Sequence, residues 1–205
     1  MSNNIIENII KTLSRIFKIS LPAMVVKQEI AENYDSGLKD MEVKLNVNFA
    51  GDNQKKQFLE NYTYDNIKGM NEELAEKLRK EFSQAMMSGE SIAKMKKRVL
   101  EVMDVGVNRA QMIARTEMNR AQNTGRLDGA IEAEKSGIKT KKWLLVTQDK
   151  RTSPICHRED TKYGTSDKAI PIDEKFKINY NGEIIEEFAP PFHVNCRTRL
   201  QIKVI

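Results

Sequence analysis

Apolar residues recur every three or four positions through the first two thirds of the chain and every second position thereafter. Ile5, Ile6, Ile9, Ile10, Leu13, Ile16 and Phe17 alternate with Asn, Glu, Lys and Arg, the spacing of an amphipathic helix. Such a helix closes its own core or docks in a partner's groove; Lys11, Arg15 and Lys18 are too few to argue for a lipid surface. Ile5, Ile9, Leu13 and Phe17 are therefore the partner-binding candidates. Pro22 breaks the pattern, and a second helix is predicted from Met24 to Tyr34, ending at an Asp35-Ser36-Gly37 turn. Val43, Leu45, Val47 and Phe49 alternate as a short strand or extended arm, and Gly51-Asp52-Asn53 marks a boundary.

From Gln54 the period is helical. One helix carries Phe58, Leu59, Tyr62, Ile67 and Met70, and Asn71 caps a second with Leu74, Leu78 and Phe82. Ser88-Gly89-Glu90-Ser91 separates that from a third, with Ile92, Met95, Val99 and Val102. After Gly106 the longest helix begins, its face set by Ala110, Ile113, Ala114, Met118, Ala121 and Leu127, with Gly137 as its stop. The period then changes: Lys142 to Thr147 reads as a strand, Phe176 to Ile185 as a hairpin turning at Asn181-Gly182, and Thr198 to Val204 as a last strand. The fold class is α+β, with long helices followed by a small antiparallel β subdomain. Three regions follow: an N-terminal helix and arm over 1–53, a helical part over 54–137 and the β subdomain over 138–205.

Composition changes the picture little until cysteine and histidine are located. The 205 residues suffice for a moderate core, and 31% charged residues with a net +5 permit contact with DNA without demanding it. No apolar run approaches the roughly 20 residues that span a bilayer, and the first 20 residues do not read as a signal peptide, so a cytoplasmic protein is expected. Both cysteines and both histidines fall in the β region, as Cys156-His157 and His193-Val194-Asn195-Cys196. These are soft-metal ligands, and Cys156, His193 and Cys196, completed by His157, Asp149 or Asp160, suit a structural zinc ion. A Cys156–Cys196 disulfide and two ordinary thiols are the alternatives.

Three motifs stand in order: Arg109-Ala110-Gln111-Met112-Ile113-Ala114-Arg115-Thr116-Glu117 with Asn119, Asn123 and Gly125; Asp149-Lys150-Arg151-Thr152-Ser153-Pro154-Ile155-Cys156 after Trp143; and Pro190-Pro191-Phe192-His193-Val194-Asn195-Cys196-Arg197. Together they resemble the phage Mu protein F-like family of minor head proteins over about Gln54 to Val204. The resemblance implies a component of a tailed-virus or prophage head with no catalytic activity of its own. It would associate with the portal or major capsid protein, assist assembly, DNA packaging or ejection, and pass from the host cytoplasm to the virion interior. The structural motif it marks comprises Arg115, Thr116, Glu117, Asn119, Trp143, Asp149, Arg151, Thr152, Pro191 and Arg197. Thr198 stands where many relatives have a further cysteine, and the region before Gln54 is shorter than in many of them.

Residue chemistry adds further expectations. A buried Arg115 would pair with Asp149 or another carboxylate of the sheet subdomain and lock the long helix onto it. Lys94, Lys97 and Arg98, with Lys141 and Lys142, form two basic patches of the kind that touch phosphates. Two enzymatic arrangements are also conceivable. In one, Cys156 is a nucleophile with His193 as base and Asp149 behind it; in the other, a metal-bound water is deprotonated by Glu159.

Overall fold

The chain is described here as a computed structural model covering residues 23–88, 92–180 and 182–205. Three helices, α1 (Ala23–Leu45), α2 (Asn53–Met87) and α3 (Ile92–Lys135), precede β1 (Thr140–Leu145). A short helix α4 (Pro154–Tyr163) follows, then β2 (Ile170–Pro171), β3 (Phe176–Tyr180), β4 (Glu183–Glu187) and β5 (Arg199–Val204). The α+β order is as the sequence predicts. The strands form two antiparallel sheets, β2-β1-β5 and the β3-β4 hairpin, with Leu144 opposite Leu200 and Ile178 opposite Ile185. The N-terminal partner-binding candidates and Asn181 of the hairpin turn lie outside the described residues.

The helices are longer than the sequence suggests. Gly106 and the Gly69-Met70-Asn71 stretch do not interrupt them, because one glycine costs a helix only about 1 kcal/mol, which tertiary packing offsets. Val43 and Leu45 are in the last turn of α1 rather than a strand, and the helix ends at Asn46 in a left-handed turn (φ 54°). Asp35-Ser36-Gly37 is helical as well. Its glycine serves packing: a Cβ on Gly37 would stand 2.0 Å from the Gln122 carbonyl oxygen, and one on Gly125 would stand 2.1 Å from that of Tyr34. At Gly129 the neighbour is the Met41 Cβ, at 2.8 Å. Helices α1 and α3 thus cross with their backbones in contact, which larger side chains would forbid.

Polar groups fasten this crossing. The Tyr34 hydroxyl donates to Asp128 at 2.7 Å and accepts from the Asp52 amide at 3.0 Å. Burial and the Asp128 carboxylate hold the Tyr34 phenol well above its ordinary pKa. Lys55 approaches the other Asp128 oxygen and Arg126 pairs with Asp40, both at 2.5 Å. Asp52 caps α2 by accepting the Gln54 and Lys55 amides, so the sequence boundary at Gly51-Asp52-Asn53 is a turn between two packed helices. At the other end of α3, Gly137 is left-handed with φ 86° and the Ile138 amide reaches the Ala133 carbonyl, closing the helix where the sequence places its stop.

One buried cluster joins helices to sheets. Met41 of α1 and Leu127 and Ala130 of α3 meet Leu144, Leu200 and Ile202 of the larger sheet and Phe176 and Ile178 of the hairpin. Cys156 and Cys196 belong to the same cluster, which places the candidate site against the core where helix and sheet meet. No helix among the described residues is long and apolar enough to cross a membrane.

Candidate functional site

Residues 193–198, between the hairpin and β5, are held to α3 by a row of polar side chains. Thr116, Asn119 and Asn123 recur at i, i+3 and i+7, so all three face the same way. The Thr116 hydroxyl accepts from the Asn195 amide at 2.8 Å, while Asn119 donates to the carbonyls of Cys196 and Thr198 at 3.0 and 3.1 Å. Asn123, fully buried, donates to the carbonyls of Pro190 and Thr198 and accepts from the Leu200 amide at 2.8 Å. A helix surface therefore satisfies the backbone of an irregular segment that carries His193 and Cys196. Asn195 itself is left-handed, φ 60°, and the Pro190–Pro191 bond is cis, with both prolines buried.

Cys156 arrives from the other side on α4. Ser153 caps it by accepting the Cys156 amide, and Pro154 occupies the first turn, where a missing amide costs nothing. This geometry also decides His157. On a helix it points about 100° away from Cys156, and it is exposed rather than part of the cluster. Asp149 and Asp160 are likewise elsewhere: Asp149 is engaged by Arg197, and Asp160 accepts from Gln148.

Cys156, His193 and Cys196 converge, with their donor atoms all within 4.8 Å of one another. The two sulfurs are 3.8 Å apart, which is no disulfide. It does match the edge of about 3.8 Å of a tetrahedron built on Zn–S bonds of about 2.3 Å. His193 Nε2 lies 3.0 Å from Cys156 Sγ, so it would retreat about half an ångström to share an ion. Its Nδ1 faces the Val194 carbonyl at 2.8 Å, which requires a proton there and leaves Nε2 as the bare ligand. The Thr198 hydroxyl donates to Cys156 Sγ at 3.2 Å, and Ser153 Oγ stands 2.7 Å from Nε2. The donors fit a soft divalent ion with three protein ligands and a fourth position.

Proton sharing between the sulfurs polarises them. The contact with Cys156 pulls Cys196 well below the ordinary thiol range, while that contact and burial push Cys156 up. His193 is raised by its hydrogen bond with Cys196. Negative charge therefore sits on Cys196 beside an imidazole, a state that a cation would further stabilise. The nucleophile arrangement fails on geometry. Cys156 is 3% exposed, and Asp149 does not reach His193, whose Nδ1 is taken by a carbonyl. Glu159 is buried and accepts the Asn179 amide, and it is not one of the three grouped ligands.

The other motif residues shape the neighbourhood. Asp149 is gripped by both terminal nitrogens of Arg197 at 2.6 and 2.5 Å, and this fork, with the Arg151 amide, holds its carboxyl far below the usual carboxylate range. The pairing expected of Arg115 with Asp149 is thus made by Arg197, and Arg115 is exposed on α3. Thr152 closes the Asp149 loop by donating to the Thr147 carbonyl and accepting the Asp149 amide. Arg151 is exposed, Trp143 half-buried opposite Gln201, and Glu117 buried against Arg120 at 2.9 Å.

Of the basic residues proposed for phosphate contact, Lys94 and Lys97 are exposed and Arg98 pairs with Glu81. Lys141 is half-buried. Lys142 is not at the surface at all. It is 0% exposed between the rings of Phe176 and Phe188, and it donates to the carbonyls of Ile172 and Phe188 at 2.9 and 3.0 Å. Desolvation pushes its pKa down to about 8.

A family model described as Phage Mu protein F like protein matches residues 76–201, which takes in the α3 face, the Asp149 loop and the Cys/His cluster. The chain is 33% identical over 110 residues to the "Minor head protein GP7" of Bacillus phage SPP1, covering 54% of this chain and 33% of that protein. It is 31% identical over 107 residues to the "NAD(+)--arginine ADP-ribosyltransferase EFV" of Enterococcus faecalis, covering 52% of this chain and 21% of that one. The chain thus spans about a third and a fifth of the lengths of these relatives. No solved structure matches at a significant level.

Proposed function

Because the chain belongs to the Phage Mu protein F like family, we propose that it is a minor head component that attaches to the portal or the inner capsid of a tailed virus or prophage. There it assists head assembly, DNA packaging or ejection without catalysing a reaction. It is made in the host cytoplasm and ends inside the virion. The observation that carries this reading is the match over residues 76–201, reinforced by the likeness to a relative named as a minor head protein. A similar stretch also occurs in a relative named as an ADP-ribosyltransferase, of which it covers only a fifth. A shared module with different neighbours accounts for both names.

Within that role the β subdomain is a rigid platform, and Cys156, His193 and Cys196 are its clip. The ion we assign to it is zinc, held structurally. Its chemistry would be to fix α4 against the segment that α3 holds through Thr116, Asn119 and Asn123. The attachment element is the segment of Ile5, Ile9, Leu13 and Phe17, whose spacing in the sequence is that of an amphipathic helix suited to a partner's groove. Co-expression with a portal protein from the same virus or prophage tests this directly. Wild-type protein should co-elute with portal rings, and Ile9→Asp with Leu13→Asp should abolish co-elution while leaving the folded body intact. Co-elution unaffected by the acidic substitutions would move the contact elsewhere, and no co-elution of the wild type would remove the portal as partner.

A further inference from the structure

A cleft of about 600 Å³ opens between α3 and the β1-β5 edge, on the outer side of the Cys196 segment. Its wall holds four arginines, Arg115 from α3, Arg151 from the Asp149 loop, and Arg197 and Arg199 at the start of β5, and no carboxylate. That is far from an even sample of a chain with 34 basic and 29 acidic residues. The nearest acid, Asp149, is already gripped by Arg197 and stands 3.7 Å from Arg151. Arg115 and Arg199 are both exposed, and among the described residues neither makes an ion pair. The cleft thus gathers four guanidinium groups around one neighbouring carboxylate, and Arg115 and Arg199 have no acidic partner among the described residues, which leaves a positive field that favours an anion.

The wall chemistry selects the kind of anion. A guanidinium fork matches two oxygens of a phosphate, and these four come from three separate elements around an open trough rather than a closed socket. Guanidinium groups from three elements along an open trough suit consecutive phosphates of a strand better than one small anion. Apolar side chains in the wall are few, chiefly Met118 and Leu145, so the aromatic or aliphatic anchor of a protein–protein contact is lacking. We propose that this arginine cleft binds the sugar–phosphate backbone of duplex DNA, with Arg115, Arg151 and Arg199 contacting phosphates and Arg197, fixed by Asp149, positioning the trough.

The choice of DNA over another polyphosphate rests on the head-protein reading above, while the preference for phosphate rests on the cleft alone. This site differs from the lysine patches of the α3 start and β1, of which Lys142 is buried. The proposed contacts are to phosphates, so binding should depend little on base sequence.

Fluorescence anisotropy of a short labelled duplex with the purified full chain tests the proposal without reference to any capsid. Removing two phosphate contacts with Arg115→Gln and Arg199→Gln should lower the slope of log K against log salt by about 1.8 and weaken binding about 60-fold at 0.1 M salt. Both residues are exposed, so an unchanged melting curve should accompany the loss. Arg115→Lys with Arg199→Lys keeps the charge and should keep the slope. Lys94→Gln with Lys97→Gln should leave binding nearly unchanged. An unaltered slope in the arginine-to-glutamine variant would overturn the proposal. So would polyglutamate displacing the duplex as well as unlabelled DNA does, which would make the occupant an acidic protein segment. Because no virion enters the assay, failure here leaves the head-protein reading standing, and failure of that reading leaves the measured phosphate binding intact.

Discussion

Replacing Gly125 with alanine adds one methyl at the point where α1 and α3 touch backbone to backbone. The new Cβ would lie 2.1 Å from the Tyr34 carbonyl oxygen and 2.8 Å from the Leu38 amide nitrogen, neither of which is a flexible side-chain end. Relief requires the helices to part by about 1 Å, enough to forfeit a quarter to a half of the dispersion at each affected contact. The buried Tyr34–Asp128 bond, 2.7 Å in the native seam, would then stretch beyond hydrogen-bonding range at a loss of about 1 kcal/mol. Overpacking itself costs about 1–3 kcal/mol. Against this, alanine gains about 1 kcal/mol of helix propensity over glycine. The net expectation is a loss of about 1–3 kcal/mol, or roughly 2–12 °C in melting temperature for a domain of this size. Gly69, whose added Cβ would meet nothing within 4 Å, supplies the control. Gly69→Ala should gain about 0.5–1 kcal/mol by propensity alone. Urea unfolding followed by circular dichroism reads both. Gly37→Ala combined with Gly125→Ala should cost less than the sum of the two, since helices already parted for one methyl have room for the second. If Gly125→Ala unfolds at the same urea concentration as wild type or a higher one, the close-packed seam is wrong.

Other perturbations bear on the site and the core. Asn123→Leu leaves the Leu200 amide and the Thr198 carbonyl without their buried partner and should cost about 2–4 kcal/mol in the same urea assay, where a cost below about 1 would contradict the anchoring role. Lys142 links stability to alkaline pH. With a folded pKa of about 8 against an ordinary 10.5, the unfolded chain binds the extra proton between those values, so stability rises with pH across that window. The full effect is bounded at about 3 kcal/mol. The stability difference between wild type and Lys142→Met, measured from pH 7.5 to 9.5, should grow with pH, and a flat difference would refute the buried neutral amine. Zinc-loaded protein should bind one equivalent by elemental analysis, and Cys196→Ser should lose both the metal and several degrees of melting temperature. Identical melting with and without chelator in the wild type would leave the three ligands as plain core residues.

Much of this architecture is legible from residue spacing, because periods of 3.6 and 2 reflect which side chains share a face. The Gly137 stop, the β3-β4 hairpin and β5 come from such signals, whereas residue type rather than spacing groups Cys156, His193 and Cys196 and leaves a metal site, a disulfide and plain thiols all open. Gly37 misleads because a glycine in a turn and one at a helix crossing look alike until the partner helix is known. The signal for α4 was present in Ser153-Pro154, a cap followed by the residue favoured at a helix's first position, but the short polar run after it has no clear period. Lys142 shares a strand face with Thr140 and Leu144, so alternation alone points it inward, against the habit of reading lysine as surface. Arg115 and Arg197 could not be told apart as partners of Asp149, since that choice depends on which side of α3 faces the sheet. The arginine cleft was invisible for the same reason: its four members come from three elements far apart in sequence.

The measurement closest to the central claim is the copy number of this chain, relative to the portal subunit, in purified procapsids and virions by quantitative mass spectrometry. A minor head component should appear in both particles at a fixed ratio, in few copies per portal ring. Absence from both particles, with abundant free protein in the infected or induced cell, would contradict the account.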